Sequence, residues 1–371
     1  MSDLLVAAEA VAGLAEANAA EGEHLRRLPL PVVEALRDAQ LLRMCVPAVY
    51  GGPEADPPTM LRVIERVARA DGAAGWCTMI ASTTSLFSHY MEPEWAKQIF
   101  GEPTNITGGV FARLATARKV EGGYRVSGRW MWGSGTQHCQ WITGGATGDG
   151  FSGSMFFAAD DVAFHDTWHT SGLRGTGSGD FSVDDLFVPE GRALQPQVTG
   201  SFVDSPLGAF PDMTLLAVGV AAAALGIGRH ALDAIVELGR DKRPQFSQRT
   251  ISQSGVAQAE LARAEATLRS ARAFLFDEVS QAWEVAVAGG RVDVPARGRM
   301  RLAGAHAAEA AVRAADAAYT LGGGSSVFES SPLQRCMRDA HVVTQHIMVA
   351  PRLYETLGKL HFGLDIDATM V

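Results

Sequence analysis

Two long rows of apolar residues in the last third of the chain constrain the fold more than any other feature. Within each row the apolar residues recur at steps of three and four positions, which is the period of an α-helix. The rows consist of Leu261, Ala264, Leu268, Ala271, Leu275, Val279 and Ala282, and of Leu302, Ala305, Ala308, Val312, Ala315 and Tyr319. Two helices that each carry one apolar face predict a helical bundle in this part of the chain.

The residue pattern changes twice along the chain, and these changes predict three domains. Residues 1–104 carry helical spacing, whereas residues 105–204 contain short strand-like runs separated by turn signals such as Gly122-Gly123. Such runs are typical of a β-barrel or sandwich. Residues 205–371 are helical again. The order predicts an α+β protein and disfavours the Rossmann and TIM-barrel folds.

The charge balance and the apolar runs disfavour several classes of protein. The chain has 32 Lys and Arg against 41 Asp and Glu, a formal net charge of −9, whereas nucleic-acid binders usually present a basic face. The run Met213 to Gly228 is interrupted by Thr214 and glycines, so we expect a buried helix and no membrane span. Four isolated cysteines and an N-terminus without a basic signal region lead us to expect a cytoplasmic protein without disulfides or a metal site.

The segment from Gly128 to Trp141 is the densest candidate for chemistry. It places three tryptophans, Ser134 and His138 around a Gly-x-Gly turn at the end of a strand. Aromatic rings beside small residues can hold a flat cofactor. The same residues also fit an aromatic β core with a tight turn. The residues alone leave both interpretations open.

Two glycine-rich loops are further candidates. Gly172 to Gly179 contains Arg174, and its backbone N–H groups together with that guanidinium could bind a phosphate. A flexible connector has the same composition. Gly322-Gly323-Gly324 follows the second apolar row, which predicts the end of a helix and a second loop of this kind.

Histidines that could exchange a proton occur at two places. His346 follows Arg338-Asp339, and on a continuous helix Asp339 and His346 would share a face because they are seven positions apart. Histidine accepts or donates a proton near neutral pH. A polar helix with a structural Arg–Asp pair is the alternative. His89 follows the small, apolar segment Gly72 to Ser88, where a lone histidine is more often structural than catalytic.

Taken together, these segments resemble the acyl-CoA dehydrogenase superfamily of flavoproteins over essentially the whole chain. The resemblance rests on three segments in the family's order: Ala70 to Trp76, Leu173 to Pro189, and Leu321 to Ala340. It implies a helical N-terminal domain, a β-barrel or sandwich middle domain, a C-terminal four-helix bundle and a homotetramer. It also implies a flavin between the middle domain and the bundle, with part of the site supplied by a neighbouring subunit.

The sequence departs from the dehydrogenases at one position. The resemblance implies a carboxylate that removes the α-proton of an acyl-CoA thioester, and in many members this Glu follows the Arg-Asp-Ala stretch. Here that place holds Ile347, preceded by His346, and the alternative place near Leu216 has no acid. The departure indicates a reaction other than dehydrogenation. An acyl-CoA dehydrogenase with a displaced base, Glu355 or Asp339, is the alternative.

A branch of the superfamily that lacks this Glu is more similar to the sequence: the oxygenase components of two-component flavin monooxygenases. Gly128 to Trp141 resembles the flavin-facing segment of that branch, and His346 resembles its active-site histidine. The resemblance implies a monooxygenase that receives reduced FMN or FAD from a separate flavin reductase. With O2 it would hydroxylate a small aromatic or polycyclic substrate. The implied catalytic residues are His346, His89 and Ser134. The implied cofactor-binding residues are Trp132, Ser134, Gly135, Arg174, Arg243, Phe246, Gly323 and Gly324.

The choice between FMN and FAD depends on the segment around Arg243 and Phe246. These residues lie where the family has an Arg and a Phe against the cofactor of the next subunit. The local spacing is shorter here, which slightly favours FMN. A flavin-binding or structural member without catalytic activity is the third hypothesis, and neither a nucleic acid nor a membrane is expected as a partner.

Overall fold

The computed structural model describes residues 3–367 and residue 371, and its N-terminal part is helical. The helices there are α1 (Asp3–Leu25), α2 (Leu30–Asp38), α3 (Pro57–Ala70), α4 (Gly72–Ser85) and α5 (Pro93–Phe100). Asp56 and Asp71 begin α3 and α4, because their side chains accept hydrogen bonds from the backbone N–H groups of Thr59 and Ala74. This helical stretch agrees with the spacing of its apolar residues.

The middle of the chain forms a seven-stranded sheet. Its strands are β1 (Thr107–Val120), β2 (Gly123–Trp130), β3 (Trp141–Gly148), β4 (Phe151–Ala158), β5 (Ala163–His165), β6 (Asp180–Pro189) and β7 (Ala193–Leu194). In the order β5-β6-β2-β1-β3-β4-β7, every neighbouring pair is antiparallel except β1 with β3. The hairpin between β1 and β2 confirms the turn predicted at Gly122-Gly123.

The two end strands of this sheet do not pair with each other among the described residues. β5 has three residues and β7 has two, so neither offers enough backbone to close the sheet. The strands therefore form an open sheet in their hydrogen bonding, and not the closed barrel that the sequence pattern allowed.

Trp130 is the centre of the sheet's core. The ring is fully buried and stacks on Phe181 with 5.0 Å between ring centroids, and Nε1 donates a 2.9 Å hydrogen bond to the carbonyl of Gly145. Gly144 lies against the ring, since a Cβ at that position would come within 2.5 Å of it. One tryptophan of the Gly128 to Trp141 segment is thus part of an aromatic β core, as one of the two interpretations predicted.

The last part of the chain is helical. Its helices are α6 (Pro196–Thr199), α7 (Pro206–Ala209), α8 (Asp212–Asp241), α9 (Gly255–Val287), α10 (Val294–Gly322), α11 (Pro332–Val343) and α12 (Leu353–His361). The predicted apolar rows lie on α9 and α10, and α8, α9, α10 and α11 pack together. α8 also packs against α3 and α4, which brings the N-terminal helices onto the bundle.

Helix α8 is the core of this assembly. It is long and apolar enough to cross a membrane by length and composition, but 89% of its most apolar window is buried inside the molecule. It runs parallel to α10, because Ala217 and Ala221 of α8 lie beside Gly304, and Gly228 lies beside Ala311. The expectation of a buried helix after residue 212 is confirmed.

Candidate active site

Trp76 on α4 contacts two residues that the sequence singled out. Its Nε1 donates a 3.0 Å hydrogen bond to Ser134 Oγ. Its ring also meets the imidazole of His346 edge-on, with 5.4 Å between ring centroids. The N-terminal helices, the sheet and the C-terminal part of the chain thus meet at one indole. Sequence reasoning did not assign Trp76 a role, although it is the one aromatic residue of α4.

Ser134 begins a chain of three buried hydroxyl groups. Ser134 Oγ lies 2.6 Å from Ser178 Oγ, which lies 2.6 Å from Thr176 Oγ1, which lies 2.7 Å from the carbonyl oxygen of Leu173. An indole N–H only donates and a carbonyl only accepts. The protons therefore point from Trp76 towards Leu173, and the Ser134 hydroxyl donates its proton to Ser178.

Backbone hydrogen bonds join the two loops that carry these hydroxyls. Gly133 N donates to the carbonyl of Gly179 at 2.9 Å, and Gly135 N donates to the carbonyl of Thr176 at 2.8 Å. Gly135 has a φ of 68°, which suits glycine. The segment after β2 and the glycine-rich loop before β6 are therefore one structural unit.

Trp132 lies at the edge of this unit. Its φ of 70° is uncommon for a residue with a side chain, and its ring is 66% exposed. The turn thus holds the indole outside the core of the sheet, in contrast to Trp130. An exposed ring beside glycines and backbone N–H groups can stack on a flat ligand.

His346 lies beyond the end of α11, in the turn that follows Val343. The prediction that it shares a helical face with Asp339 is therefore wrong, because the helix ends before it. Its Nδ1 accepts a 3.3 Å hydrogen bond from Met348 N, so Nε2 carries the proton of the neutral ring. Burial and, to a smaller extent, the Arg301 guanidinium lower the pKa of His346 to about 4, so the imidazole is neutral at pH 7.

Asp339 holds the glycine-rich loop from the side of the bundle. Its Oδ1 accepts a 2.6 Å hydrogen bond from Leu173 N. Burial raises the pKa of this carboxyl to about 7 against the opposing effect of that bond. Arg338 pairs with Glu23 of α1 instead. The Arg–Asp pair considered from the sequence is not among the ion pairs of the described residues.

Arg174 points into an acidic surrounding. It lines a small cavity together with Glu23, Asp71, Arg335 and Asp339. Two guanidinium groups and three carboxyl groups thus line the same cavity, and the phosphate-binding role suggested for Arg174 by the sequence stays a prediction. The loop contributes its hydroxyls and backbone to the unit around Ser134.

His89 is fully buried in the 3₁₀ turn after α4. Its Nε2 lies 3.0 Å from the carbonyl oxygen of Cys45, so Nε2 donates and Nδ1 is left as an acceptor. Nδ1 is buried and has no hydrogen-bond partner among the described residues. Burial lowers the pKa of His89. No hydrogen bond or ring contact in the described chain links it to Ser134 or His346.

Four predicted cofactor residues lie on the surface. Arg243 and Phe246 are in the exposed segment between α8 and α9, and Phe246 is 98% exposed with a φ of 65°. Gly323 and Gly324 form the turn after α10, where no atom lies within 4 Å of an added Cβ. The predicted end of α10 at this turn is confirmed.

The displaced base considered from the sequence is not at this site. Glu355 is exposed on α12 and pairs with Lys359 at 2.6 Å. Asp339 accepts a hydrogen bond from Leu173 N. Among the described residues, no Asp or Glu is hydrogen-bonded to Trp76, Ser134 or His346.

Comparisons with known proteins agree with this architecture. The family model of the acyl-CoA dehydrogenase N-terminal domain matches residues 6–97, and that of the C-terminal domain matches residues 218–351. Indole-3-acetate monooxygenase of Pseudomonas putida is 32% identical over 94% of this chain and 90% of that protein. The oxygenase subunit HsaA of a flavin-dependent monooxygenase from Rhodococcus jostii is 29% identical over 95% of this chain and 97% of its own length.

A solved structure also matches nearly the whole chain. XiaF from Streptomyces sp., in complex with FADH2 and glycerol, superposes with a TM-score of 0.91 at 28% identity. The match covers 98% of this chain and 95% of that one.

Proposed function

Because the chain belongs to the acyl-CoA dehydrogenase family, we propose that it is the oxygenase component of a two-component flavin-dependent monooxygenase. Its relatives are flavin-dependent monooxygenases, and the chain is an oxidoreductase. The proposed reaction uses reduced flavin, supplied by a separate reductase, and O2 to hydroxylate a small aromatic or polycyclic substrate. One relative is named as an indole-3-acetate monooxygenase, so indole-3-acetate is the first substrate to test.

The observation that carries this proposal is the assembly of Trp76, Ser134 and His346, to which no carboxylate of the described residues is hydrogen-bonded. Dehydrogenation of a thioester needs a base. The apolar side chain of Ile347 cannot act as one, and the single ring lone pair of neutral His346 already accepts from Met348 N. A neutral imidazole and a buried serine suit oxygen chemistry instead, because they bring no strong acid near the reacting oxygen. Trp76 and Ser134 are buried, which keeps water away from their side of the assembly.

The residues around Ser134 fit a flavin. Trp132 offers an exposed ring, and the joined loops that contain Gly135 hold the buried hydroxyl of Ser134 close to it. When bound, reduced flavin supplies the electrons that activate O2. Because the Ser134 hydroxyl donates to Ser178, its remaining lone pair can only accept a hydrogen bond. A reduced isoalloxazine carries an N–H at N5 and an oxidised one does not, so this polarity favours the reduced form.

Two histidines are proposed to act on the reactants. His346 presents the N–H of its Nε2 and would hold a hydrogen bond to the reacting oxygen. His89 presents an unpartnered acceptor at Nδ1 and would orient or deprotonate a phenol-like hydroxyl of the substrate. Gly208 leaves room at this nitrogen, since an added Cβ would lie 3.1 Å from it.

The exposed cofactor residues are proposed to act across subunits of a homotetramer. A phenylalanine that is almost wholly exposed is typical of a covered interface. Phe246, Arg243, Gly323 and Gly324 would then contact the flavin of a neighbouring chain. The proposal also includes a cytoplasmic location and the use of reduced FMN or FAD. It divides the chain into domains at residues 1–104, 105–204 and 205–371.

The proposal is tested with chemically reduced FMN and FAD, isotopically labelled O2 and a panel of aromatic compounds that includes indole-3-acetate. We expect a hydroxylated product that contains one labelled oxygen atom, with either flavin supplied as a free, reduced molecule. Mass spectrometry of the product and an oxygen electrode give the yield per reduced flavin.

The alternative makes an opposite prediction. If an acyl-CoA reduces the bound, oxidised flavin under anaerobic conditions, the protein is a dehydrogenase with a displaced base. Glu355→Gln or Asp339→Asn should then abolish that reduction. A chain that binds neither form of flavin would instead support the non-catalytic hypothesis.

A further inference from the structure

Arg301 on α10 is a buried cation, and two of its nitrogen atoms have no hydrogen-bond partner in the part of the chain that the structure describes. Its side chain is 1% exposed, and its Nε and Nη2 atoms are buried with no hydrogen-bond partner. In the described part of the chain it forms no hydrogen bond and no ion pair. Removing an ionised group from water without supplying a partner is costly, so such a residue needs an explanation.

Arg43, another buried arginine, shows how a fold ordinarily supplies acceptors to a buried guanidinium. Arg43 is 3% exposed, but its Nη1 donates to Gln40 Oε1 at 2.9 Å and to the carbonyl of Gly51 at 3.0 Å. Its Nη2 donates to the carbonyl of Phe100. Among the described residues, the fold therefore gives acceptors to both Nη atoms of Arg43 and none to Nε and Nη2 of Arg301.

The position of Arg301 is next to the candidate active site. Gly304, one turn further along α10, lies beside Ala217 and Ala221 of the parallel helix α8. Arg301 is therefore level with the preceding turn of α8, which contains Thr214, a fully buried residue whose Oγ1 also lacks a partner. Leu216, where the dehydrogenase resemblance implies a second possible place for the acid, is in the same turn of α8.

The guanidinium also acts on the candidate catalytic histidine. Its positive charge is one of the two causes that lower the pKa of His346, together with burial. A cation thus occupies the region in which a dehydrogenase would need an anion. The positive charge of Arg301 suits a ligand that is itself negatively charged.

We propose that Arg301 binds an anionic oxygen of the substrate, a carboxylate or phenolate attached to an aromatic ring. The guanidinium pairs with a carboxylate through two parallel hydrogen bonds, and Thr214 adds a hydroxyl at the same level. This inference rests on the proposed function for the location of the substrate. It goes further by assigning a negative charge to the substrate and by naming Arg301 as the residue that binds that charge.

The experiment compares the affinity of the full chain for matched acids and amides. The pairs are benzoate with benzamide, phenylacetate with phenylacetamide, and indole-3-acetate with indole-3-acetamide. Calorimetry gives the dissociation constants for the wild type, Arg301→Met and Arg301→Lys. Arg299→Met is the control, because Arg299 is on the same helix but pairs with Glu278 at 2.9 Å near the surface.

We expect the wild type to bind at least one acid about tenfold more tightly than its amide, in line with a charge-assisted pair. Arg301→Met should reduce this ratio to about one, Arg301→Lys should keep part of it, and Arg299→Met should leave it unchanged. Without ligand, Arg301→Met should raise the melting temperature by a few degrees, because it removes an unpaired buried charge.

Three results would overturn the inference. The first is the absence of acid preference in every pair, and the second is a preference that survives in Arg301→Met. The third is a loss of affinity for reduced flavin in Arg301→Met with an unchanged acid-to-amide ratio, which would assign the anion to the flavin. If Arg301→Met does not fold, the wild-type ratio and Arg301→Lys still decide. Binding requires no turnover, so acid preference without hydroxylation would refute only the proposed function.

Discussion

The indole N–H of Trp76 donates a 3.0 Å hydrogen bond to the hydroxyl of Ser134 and takes up one of its two lone pairs. At the other end of the hydroxyl chain, the carbonyl of Leu173 takes the proton of Thr176, so the Ser134 proton goes to Ser178. The two ends together leave Ser134 with one lone pair that can accept a hydrogen bond from a ligand.

Ser178→Ala should weaken the preference for reduced flavin. Without the Ser178 oxygen, the Ser134 hydroxyl can turn its proton outwards and donate to the unprotonated N5 of oxidised flavin. We expect the affinity for reduced flavin relative to oxidised flavin to fall by about tenfold, which corresponds to the free energy of roughly one hydrogen bond.

The measurement for Ser178→Ala is a titration with oxidised flavin in air and with reduced flavin under nitrogen. Ser82→Ala is the control, because that buried hydroxyl on α4 bonds to the carbonyl of Leu41 instead. An unchanged ratio in Ser178→Ala would show that Ser134 does not face N5.

His346→Ala should uncouple oxygen consumption from hydroxylation. The variant loses the N–H that is proposed to hold the reacting oxygen, so most of the O2 consumed should appear as hydrogen peroxide. We expect the product yield per reduced flavin to fall by at least tenfold, measured by chromatography together with a peroxide assay. His341→Ala, which removes an exposed histidine paired with Asp316, should leave the yield unchanged.

The same residue makes a prediction about pH. Because the pKa of His346 is lowered to about 4, its ring is neutral throughout the range from pH 6 to 8. The yield of product should therefore show no step that depends on His346 in that range. A step between pH 6 and 7 that disappears in His346→Ala would contradict a neutral imidazole.

Asp339→Asn should make stability less dependent on pH. The pKa of Asp339 is raised from 3.8 to about 7, so between about pH 4 and pH 7 the folded state binds a proton that the unfolded state has released. The wild type therefore loses stability as the pH rises through this range, by up to about 1.4 kcal/mol per pH unit. The asparagine is never charged and can still accept from Leu173 N.

Urea unfolding between pH 5 and pH 8 measures this difference. The variant should have the flatter profile and should be the more stable protein at pH 8. Asp38→Asn, at an exposed carboxylate beside Arg37, serves as the control. Parallel profiles for the wild type and Asp339→Asn would show that Asp339 is ionised without cost in the folded protein.

Phe246→Asp should disrupt the proposed homotetramer. Phe246 is 98% exposed in one chain, so its burial would have to come from another copy. Light scattering after size exclusion should show a smaller species for this variant and a tetramer for the wild type. Val49→Asp, at another exposed apolar residue, should not change the mass. A wild-type monomer would refute the assembly.

The repeating features of the fold could be predicted from the sequence because they depend on local periodicity. The apolar row from Ala264 to Ala282 is buried on α9, and the Gly122-Gly123 turn joins two strands as expected. The end of α11 was not predicted, because nothing in the sequence between Val343 and His346 forbids another helical turn. That turn determines where His346 lies.

The contacts of the site depend on pairs that are far apart in the sequence. Ser134 and His346 were found through a family resemblance, while Trp76 was counted only as part of a helix motif. A tryptophan among small residues gives no local sign of its hydrogen-bond partner 58 positions away. Arg301 was missed for a similar reason. A single arginine on a helix predicts an exposed side chain, and its burial becomes evident only from the packing of the neighbouring helices.

The bond from Asp339 to Leu173 spans 166 positions and has a consequence for how the protein is made. Synthesis proceeds from the N-terminus, so the sheet leaves the ribosome long before the carboxylate that anchors its glycine-rich loop exists. The Leu173 end of the loop must wait for nearly the entire polypeptide. A nascent or truncated product that ends before residue 339 would lack this anchor to α11 and would keep only the bonds between the loop and the segment after β2.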